Sequence, residues 1–178
     1  MRRNLKGTPV YWTRFAYGPW RLHVAATEQG LCYVGSADRS YEELEDWACR
    51  RLQGCRLTED AGKLAPYTGQ LTGYLQGERQ DFTVPLDLYG TPFQLAVWDA
   101  LNSIPYGQTV TYSDIAHRLD KPQASRAVGA AIGANPVLIT VPCHRVVGKQ
   151  GALTGYRGGL SMKTGLLELE RRGLLSPV

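Results

Sequence analysis

Residues 137–147 have the sequence VLITVPCHRVV, in which an apolar run leads into a proline, a cysteine and a histidine. A short apolar run of this kind predicts a buried β-strand over residues 137–141. Pro142 has no backbone N–H to give to a sheet, so we expect the strand to end there. Cys143 would then lie at the end of a strand, where a side chain can face a pocket.

Cys143 and His144 together indicate thiol chemistry. A thiolate is a strong nucleophile, and a neighbouring imidazole can lower the pKa of a thiol. Successive side chains of an extended segment point to opposite faces, so contact between the two requires a bend after Pro142 or one bridging water. The alternative is a buried structural cysteine followed by an unrelated histidine, because free cysteine is among the most buried residue types.

Length and composition indicate a folded protein of one or two domains, with 178 residues, of which 43% are hydrophobic and 20% charged. No apolar run approaches the roughly 18 residues of a membrane span. The basic start at 1–6 is followed by neither an apolar segment nor a cleavage site, so we do not expect a signal peptide. The cysteines match neither a zinc ribbon nor a disulfide framework, which favours a cytoplasmic protein. They are Cys32, Cys49, Cys55 and Cys143.

The net charge of +4 is confined to one half of the chain. Residues 1–91 carry 11 basic and 11 acidic side chains, whereas residues 92–178 carry 9 basic and 5 acidic ones, and 9 − 5 gives the whole excess. A basic C-terminal half suits a polyanion such as nucleic acid. An excess of this size also lies within the ordinary variation of small proteins.

The N-terminal half has the pattern of a small antiparallel sheet with helices. Turn signals separate three strands, at residues 10–17, 20–27 and 31–35. Ser40 is a candidate N-cap for a first helix, and a second helix is predicted over residues 63–75. Residues 82–86 are predicted to be a short closing strand or an extended segment. No catalytic pattern is visible in this half.

The C-terminal half begins with strong helix signals. Thr91 can cap a helix, Pro92 suits its first position, and Gln94 completes a capping box. A helix-turn-helix is predicted next, with Thr111 as the cap of its first helix and a turn at residues 120–122.

The second helix of this pair has two contrasting faces. Its predicted core stripe is Ala124, Ala127, Val128, Ala131 and Ile132. Its opposite stripe is Arg126, Gly129, Ala130 and Gly133, a nearly bare surface with one long cation. Each glycine inside a helix costs about 1 kcal/mol relative to alanine. Close approach of another backbone, from nucleic acid or from a second helix, would offset that cost.

The remaining candidate groups surround the cysteine in sequence. Asn135 can fix the corner before the strand by bonding to local backbone. Residues 151–159 form a glycine-rich loop that contains Tyr156, a potential hydrogen-bond donor to a flat ligand. A final helix over residues 160–173 carries Glu168 and Glu170, either of which could orient His144.

These features match a known family. The matching motifs are RAVG at 126–129, NP at 135–136, PCHRVV at 142–147, GY and GG at 155–156 and 158–159, and Lys163 with Leu166, Leu167 and Glu170. The chain resembles the O6-alkylguanine-DNA alkyltransferases, also called methylated-DNA–protein-cysteine methyltransferases, most specifically over residues 91–170. The N-terminal half agrees only in size and in its strand-then-helix layout.

The resemblance implies an α/β (α+β) fold in two domains. Residues 1–90 would form a small N-terminal domain with an antiparallel sheet and helices. Residues 91–178 would form a mostly helical DNA-binding and alkyl-transfer domain, with a helix-turn-helix and a short strand leading to the cysteine.

The resemblance also implies roles for individual residues. The catalytic set would be Cys143, His144, Glu170, Tyr156 and Asn135. In this set Cys143 takes the alkyl group, His144 activates it through a water and is oriented by Glu170, Tyr156 assists the leaving guanine, and Asn135 braces the link to the DNA-binding helix. The substrate pocket would be formed by Cys143, Val146, Tyr156, Arg157 and Gly158.

DNA contacts are implied for the helix-turn-helix, which in the family enters the minor groove. Arg126 would fill the gap left by the flipped nucleotide, and Tyr112 would push on the neighbouring phosphate. The implied DNA-binding residues are Arg126, Tyr112, Ser113, Ala127, Gly129 and Ala130.

The implied function is repair of O6-alkylguanine, and by extension O4-alkylthymine, in double-stranded DNA. The alkyl group would pass irreversibly to Cys143, so a monomer would act once, without a cofactor or metal. Some family members hold a zinc ion in the N-terminal domain, but this sequence has no convincing ligand set. A cysteine hydrolase would instead need a thioester and catalytic cycling, and a DNA-binding regulator would leave Cys143 without a role.

Overall fold

The N-terminal half is built on a four-stranded sheet. The computed structural model describes residues 7–175, so the basic start at 1–6, on which the signal-peptide prediction rests, lies outside it. The three predicted strands are confirmed, and the sheet order is β3-β2-β1-β4. The strands are β1 (Pro9–Tyr17), β2 (Trp20–Thr27), β3 (Gly30–Val34) and β4 (Arg56–Glu59). Strand β4 runs parallel to β1 and was not predicted, because its short polar sequence RLTE lacks the apolar signal of a strand.

Two helices cover the two faces of this sheet. Helix α1 (Tyr41–Arg51) buries Leu44 and Trp47 in one apolar cluster, whereas α2 (Ala61–Leu75) buries Leu64 and Leu71 in another. Ser40 occupies the N-cap of α1 but makes no side-chain cap bond. Helix α2 begins two residues earlier than predicted because the carboxylate of Asp60 accepts a hydrogen bond from the backbone N–H of Lys63.

The predicted C-terminal helices are present. They are α3 (Pro92–Asn102), α4 (Tyr112–Arg118), α5 (Ser125–Gly133) and α6 (Leu160–Leu175). Thr91 and Gln94 form the predicted capping box, and Thr111 forms a second one with Asp114. Helices α4 and α5, joined by a 3-10 turn at Pro122–Ala124, form the predicted helix-turn-helix. Two short parallel strands, β5 (Val110–Thr111) and β6 (Val146–Val147), connect it to the segment after the cysteine.

The predicted strand over residues 137–141 is wrong. These residues are buried, but they form a series of turns in which Thr140 N–H donates to Leu138 and Val141 N–H donates to Val137. Ile139 has a φ of 69°, which no strand permits. An apolar run indicates burial, and here burial occurs without an extended backbone.

The core stripe predicted for α5 is also partly wrong. Val128, Ala131 and Ile132 are buried as expected, but Ala127 is exposed and Ala124 only half-buried. The buried stripe is therefore narrower than the sequence pattern suggested. The opposite stripe is open as predicted, since Arg126, Ala130 and Gly133 are exposed and Gly129 is half-buried.

The two halves share one core. Val34 N–H at the end of β3 donates to Pro136, and Leu138 N–H donates back to Val34, so the turns before the cysteine extend the N-terminal sheet. Leu64 and Tyr74 of α2 belong to the same apolar cluster as Trp98 of α3. None of the helices described within residues 7–175 has the length and apolar character needed to span a membrane.

The capping box of α3 predicts a matched pair of variants. Thr91→Ala removes the side-chain acceptor from the N–H of Gln94, so we expect the free energy of unfolding to fall by about 1 kcal/mol in urea denaturation. Thr91→Ser keeps the acceptor and should stay near the wild-type value. Equal losses for both variants would contradict a capping role.

Candidate active site

The candidate nucleophile lies in a single 3-10 turn, Cys143–Arg145, that follows Pro142. This turn is the bend that the sequence required. The Cys143 side chain is only 2% exposed, and the amide Nδ2 of Asn135 lies 3.1 Å from its sulfur. Burial raises the pKa of the thiol and outweighs the hydrogen bond from Asn135 and the positive charges of Arg157 and Lys163. The expected lowering of the thiol pKa is therefore wrong for the resting protein, and Cys143 is protonated at neutral pH.

Asn135 organises the turns that precede the cysteine. Its side chain is fully buried, and its Oδ1 accepts from the N–H of Val137 at 3.0 Å. Its Nδ2 also lies 3.2 Å from the carbonyl oxygen of Val141. One amide thus bonds to the backbone and to the sulfur at once, which fixes where Cys143 lies relative to the end of α5.

His144 faces Glu170 rather than the sulfur. Its Nε2 lies 2.7 Å from Oε1 of Glu170. Of the two candidate glutamates, Glu168 is exposed and lies near Arg172, so Glu170 is the partner. The other ring nitrogen, Nδ1, is buried and makes no hydrogen bond to any side chain or backbone group of residues 7–175.

Glu170 is the centre of a buried polar cluster. It accepts from Nε of Arg145 at 3.0 Å, from the N–H of Gly107 at 2.7 Å, and from the hydroxyl of Tyr74. Burial alone would raise the pKa of its carboxyl, but the hydrogen bonds from His144, Arg145 and Tyr74 bring that pKa down to about 2. The carboxylate therefore stays ionised throughout the physiological range.

The imidazole of His144 is neutral at the same pH. Burial lowers its pKa, the charges of Arg145 and Lys163 act in the same direction, and Glu170 opposes them only in part. The tautomer with a proton on Nε2 satisfies Glu170 and leaves a lone pair on Nδ1. That nitrogen can accept a proton, which makes His144 a candidate general base.

Tyr74, Arg145 and Gly107 were missed by the sequence analysis. Tyr74 lies within the second predicted helix, at 63–75, in a half that shows no catalytic pattern. A hydroxyl-bearing side chain among leucines was the one available signal, because a buried tyrosine hydroxyl usually has a partner. Arg145 is part of the PCHRVV motif, but the sequence does not show that its side chain points toward Glu170.

A groove of about 720 Å³ lies between the helix-turn-helix and the glycine-rich loop. Of the predicted DNA-binding residues, Tyr112, Ser113, Arg126 and Gly129 line it, whereas Ala127 and Ala130 do not, although both are exposed on α5. The hydroxyl of Tyr112 lies 3.0 Å from that of Thr154, which links α4 to the loop.

The predicted pocket residues divide into two layers. Tyr156 and Arg157 line the groove, whereas Cys143 and Val146 are buried and do not line it, and Gly158 is half-buried. A Cβ atom at Gly158 would come within 2.6 Å of the Tyr156 ring, so only glycine fits there without rearrangement. In this structure the sulfur is therefore buried and is not part of the groove surface.

Tyr156 and Lys163 provide buried hydrogen-bond donors near the cysteine. Burial raises the pKa of the Tyr156 phenol well above its usual value, so the hydroxyl keeps its proton. This hydroxyl makes no hydrogen bond to another group in the described chain. Lys163 donates to the carbonyl oxygens of Val146 at 2.6 Å and Thr154 at 2.9 Å, and so holds the loop against β6.

Metal-ligating side chains are scattered in this structure. Within residues 7–175 no group of three or more His, Cys, Asp or Glu side chains is placed to hold a metal ion.

The structure combines a buried thiol, a histidine held by a glutamate and a helix-turn-helix, and comparison with known families identifies the class as a DNA alkyltransferase. Two family models cover most of the chain. The 6-O-methylguanine DNA methyltransferase DNA-binding domain matches residues 92–172, and the ribonuclease-like domain of the same family matches residues 10–88.

Individual relatives agree with this class. The inducible methylated-DNA–protein-cysteine methyltransferase of Bacillus subtilis is 59% identical over 163 residues, covering 92% of this chain and 91% of the relative. A crystal structure of the Mycobacterium tuberculosis O6-methylguanine methyltransferase superposes with a TM-score of 0.82 at 40% identity, covering 95% and 96% of the two chains. A structure of the M. tuberculosis protein in complex with DNA has a TM-score of 0.77 at 40% identity, covering 93% of this chain and 94% of the other. The chain belongs to the 6-O-methylguanine DNA methyltransferase family.

The buried carboxylate predicts a specific pH dependence of stability. The folded pKa of Glu170 is about 2 against an ordinary 4.5, so its contribution is complete above about pH 4.5 and is lost as the pH falls toward 2. That contribution is about 3 kcal/mol. In urea denaturation between pH 7 and pH 2, Glu170→Gln should lose this part of the pH dependence.

Glu168→Gln is the matched control, because Glu168 is an exposed glutamate on the same helix. It should keep the wild-type pH dependence. At pH 7, Glu170→Gln should also cost about 3–5 kcal/mol, because it leaves the buried charge of Arg145 without its partner. An unchanged pH dependence in Glu170→Gln would contradict the assignment.

Proposed function

We propose that this chain repairs DNA by taking the alkyl group of O6-alkylguanine onto Cys143. The observation that carries the proposal is that Cys143 packs in the same buried core as Ile115 of α4 and Val128 of α5, the two helices that share a groove with the glycine-rich loop. The B. subtilis relative is named for transfer of a methyl group from DNA to a protein cysteine, and the M. tuberculosis structure contains DNA. Both facts support the same reaction here.

The reaction begins with deprotonation of the thiol. Because Cys143 is protonated at rest, a base is required, and Nδ1 of His144 takes the proton through a bridging water. The Nε2–H of His144 remains bonded to Glu170, which stabilises the imidazolium that forms. The deprotonated sulfur is then a nucleophile in a site that excludes bulk water.

The thiolate attacks the alkyl carbon in a single displacement. The S–C bond forms as the C–O6 bond breaks, and the electron pair stays with the guanine oxygen. The hydroxyl of Tyr156 donates a hydrogen bond to the leaving base, for which its raised pKa keeps a proton available. The product is a thioether without a good leaving group, so each molecule reacts once, and the electrons balance without a cofactor.

The helix-turn-helix delivers the base. An O6 atom inside a duplex is out of reach, so the nucleotide must be extruded at a cost of a few kcal/mol. Helix α5 presents a bare stripe to the minor groove, and Arg126 at its start fills the gap left in the base stack. Tyr112 contacts the adjacent phosphate. The extruded base enters the groove that Tyr156 lines and moves from there toward Cys143.

One chain supplies every group in this scheme, so we propose that it acts as a monomer. The four cysteines are all unpaired in the structure, which suits the reducing environment of the cytoplasm.

Intact-mass measurement tests the acceptor. After incubation with duplex DNA containing O6-methylguanine, we expect a single gain of about 14 Da that does not increase with time or excess substrate. Cys143→Ser should abolish the gain, whereas Cys49→Ser, which removes an exposed thiol, should not. Repeated turnover without a mass change would instead indicate a hydrolase, and no reaction at all would leave only a DNA-binding role.

Arg126→Ala tests base extrusion. Losing the side chain that replaces the flipped base should slow single-turnover reaction with duplex by about tenfold or more, while reaction with free O6-benzylguanine stays within about twofold. Arg118→Ala, which removes an exposed arginine of α4 outside the groove, is the control. Equal losses of single-turnover rate on duplex and on free base would show that Arg126 does not assist base extrusion.

A further inference from the structure

Arg157 lines the groove, as expected of a pocket residue, but its side chain also makes contacts outside the groove. It follows Tyr156 in the glycine-rich loop, but its guanidinium enters the junction between the two halves. Nε donates to the carbonyl oxygen of Asn135 at 2.9 Å, and Nη2 donates to those of Val34 at 2.7 Å and Pro136 at 3.1 Å. One side chain therefore bonds to the end of β3, to the turn after α5 and, through its own backbone, to the loop.

The N-terminal half supplies an anionic partner for this guanidinium. Nη1 of Arg157 lies 3.2 Å from Oε1 of Glu43 in the first turn of α1. Burial would raise the pKa of Glu43, but hydrogen bonds from Ser36 and the charge of Arg157 outweigh it and lower that pKa. The guanidinium also lies over the ring of Tyr33, 5.3 Å from its centroid. The direction of the guanidinium is therefore fixed by Glu43 on one side and by the ring of Tyr33 on the other.

The bonds of Arg157 end beside both proposed reacting groups. Asn135, whose carbonyl oxygen Arg157 binds, places its amide 3.1 Å from the sulfur of Cys143. Tyr156, the proposed donor to the leaving base, is the adjacent residue in the chain. The segment between Gly151 and α6 contains no helix or strand, so its few backbone hydrogen bonds, such as that from Gly159 N–H to Tyr156, are supplemented by side-chain bonds.

We propose that Arg157 is a positioning residue, which uses Glu43 and the end of β3 as a fixed reference to set the hydroxyl of Tyr156 relative to the sulfur of Cys143. This inference rests on the proposed alkyl transfer to Cys143. It gives the N-terminal half a defined part in the chemistry, because α1 and β3 set the geometry of a loop that belongs to the other half.

Substitutions at both ends of the ion pair test the proposal. Arg157→Met removes all the bonds, Arg157→Lys keeps the charge without the planar fork, and Glu43→Gln removes only the remote anion. The control is Glu42→Gln, which neutralises the neighbouring exposed glutamate in the same helical turn. Single-turnover rates with free O6-benzylguanine and with alkylated duplex are measured at a temperature where circular dichroism shows each variant folded.

We expect Arg157→Met to slow both reactions by about tenfold or more, because misplacement of a reacting group by a fraction of an ångström is costly. Glu43→Gln should cause a smaller loss on both substrates, Arg157→Lys a partial recovery, and Glu42→Gln no change. Arg157→Met should slow the reactions with free base and with duplex equally, whereas Arg126→Ala should slow mainly the reaction with duplex, so the two roles can be distinguished.

The pH dependence of the rate adds a readout that a purely structural role would not change. Cys143 is faced by the charges of Arg157 and Lys163 and by the hydroxyl of Tyr156. Removing one of the two cations in Arg157→Met should move the rising limb of the pH–rate profile to higher pH, whereas Glu43→Gln, which leaves both cations, should not.

A folded Arg157→Met with the wild-type rate and pH profile would overturn the proposal. If Arg157→Met does not fold, the test is the comparison of Glu43→Gln with Glu42→Gln. Equal single-turnover rates for these two variants would reject the proposal. Failure of the wild-type protein to gain an alkyl group would reject the proposed function instead.

Discussion

The buried carboxylate of Glu170 is the constraint on which the rest of the structure depends. An ionised group without solvent is stable only when all its neighbours donate to it. Here the donors come from separate parts of the chain: Tyr74 from α2, Gly107 from the loop after α3, and Arg145 and His144 from the nucleophile turn. Satisfying one charge therefore fixes the N-terminal half, the entry to the helix-turn-helix and the cysteine relative to α6.

The sequence predicted best what depends on neighbouring residues. The first three strands follow from the turn signals between them, and the capping boxes of α3 and α4 follow from side chains three positions apart. The cysteine, its histidine and the asparagine before them were accessible because they share one short stretch. Choosing Glu170 over Glu168 depended on the family resemblance, since spacing alone left both available.

What the sequence could not predict depends on distant contacts or on backbone shape. Residues 137–141 have the apolar content of a strand, but Asn135 and Val34 bond to their backbone in a way that favours turns. Tyr74 lies 96 residues from Glu170 in the sequence, and no local sequence pattern predicts the hydrogen bond between them. Arg157 looked like a variable pocket residue, because a lone arginine beside a glycine loop gives no sign of which carbonyl groups it will bind.

Ile139 has a consequence for engineering this protein. A β-branched side chain at a φ of 69° is strained by roughly 1–3 kcal/mol, and glycine would adopt that backbone without strain. The isoleucine is nevertheless 1% exposed and packs in the central core, so exchanging it would open a void beside the nucleophile turn. The packing of Ile139 therefore outweighs the strain of its backbone, and the left-handed conformation at this position is maintained by the core around the side chain rather than by a residue type that favours it.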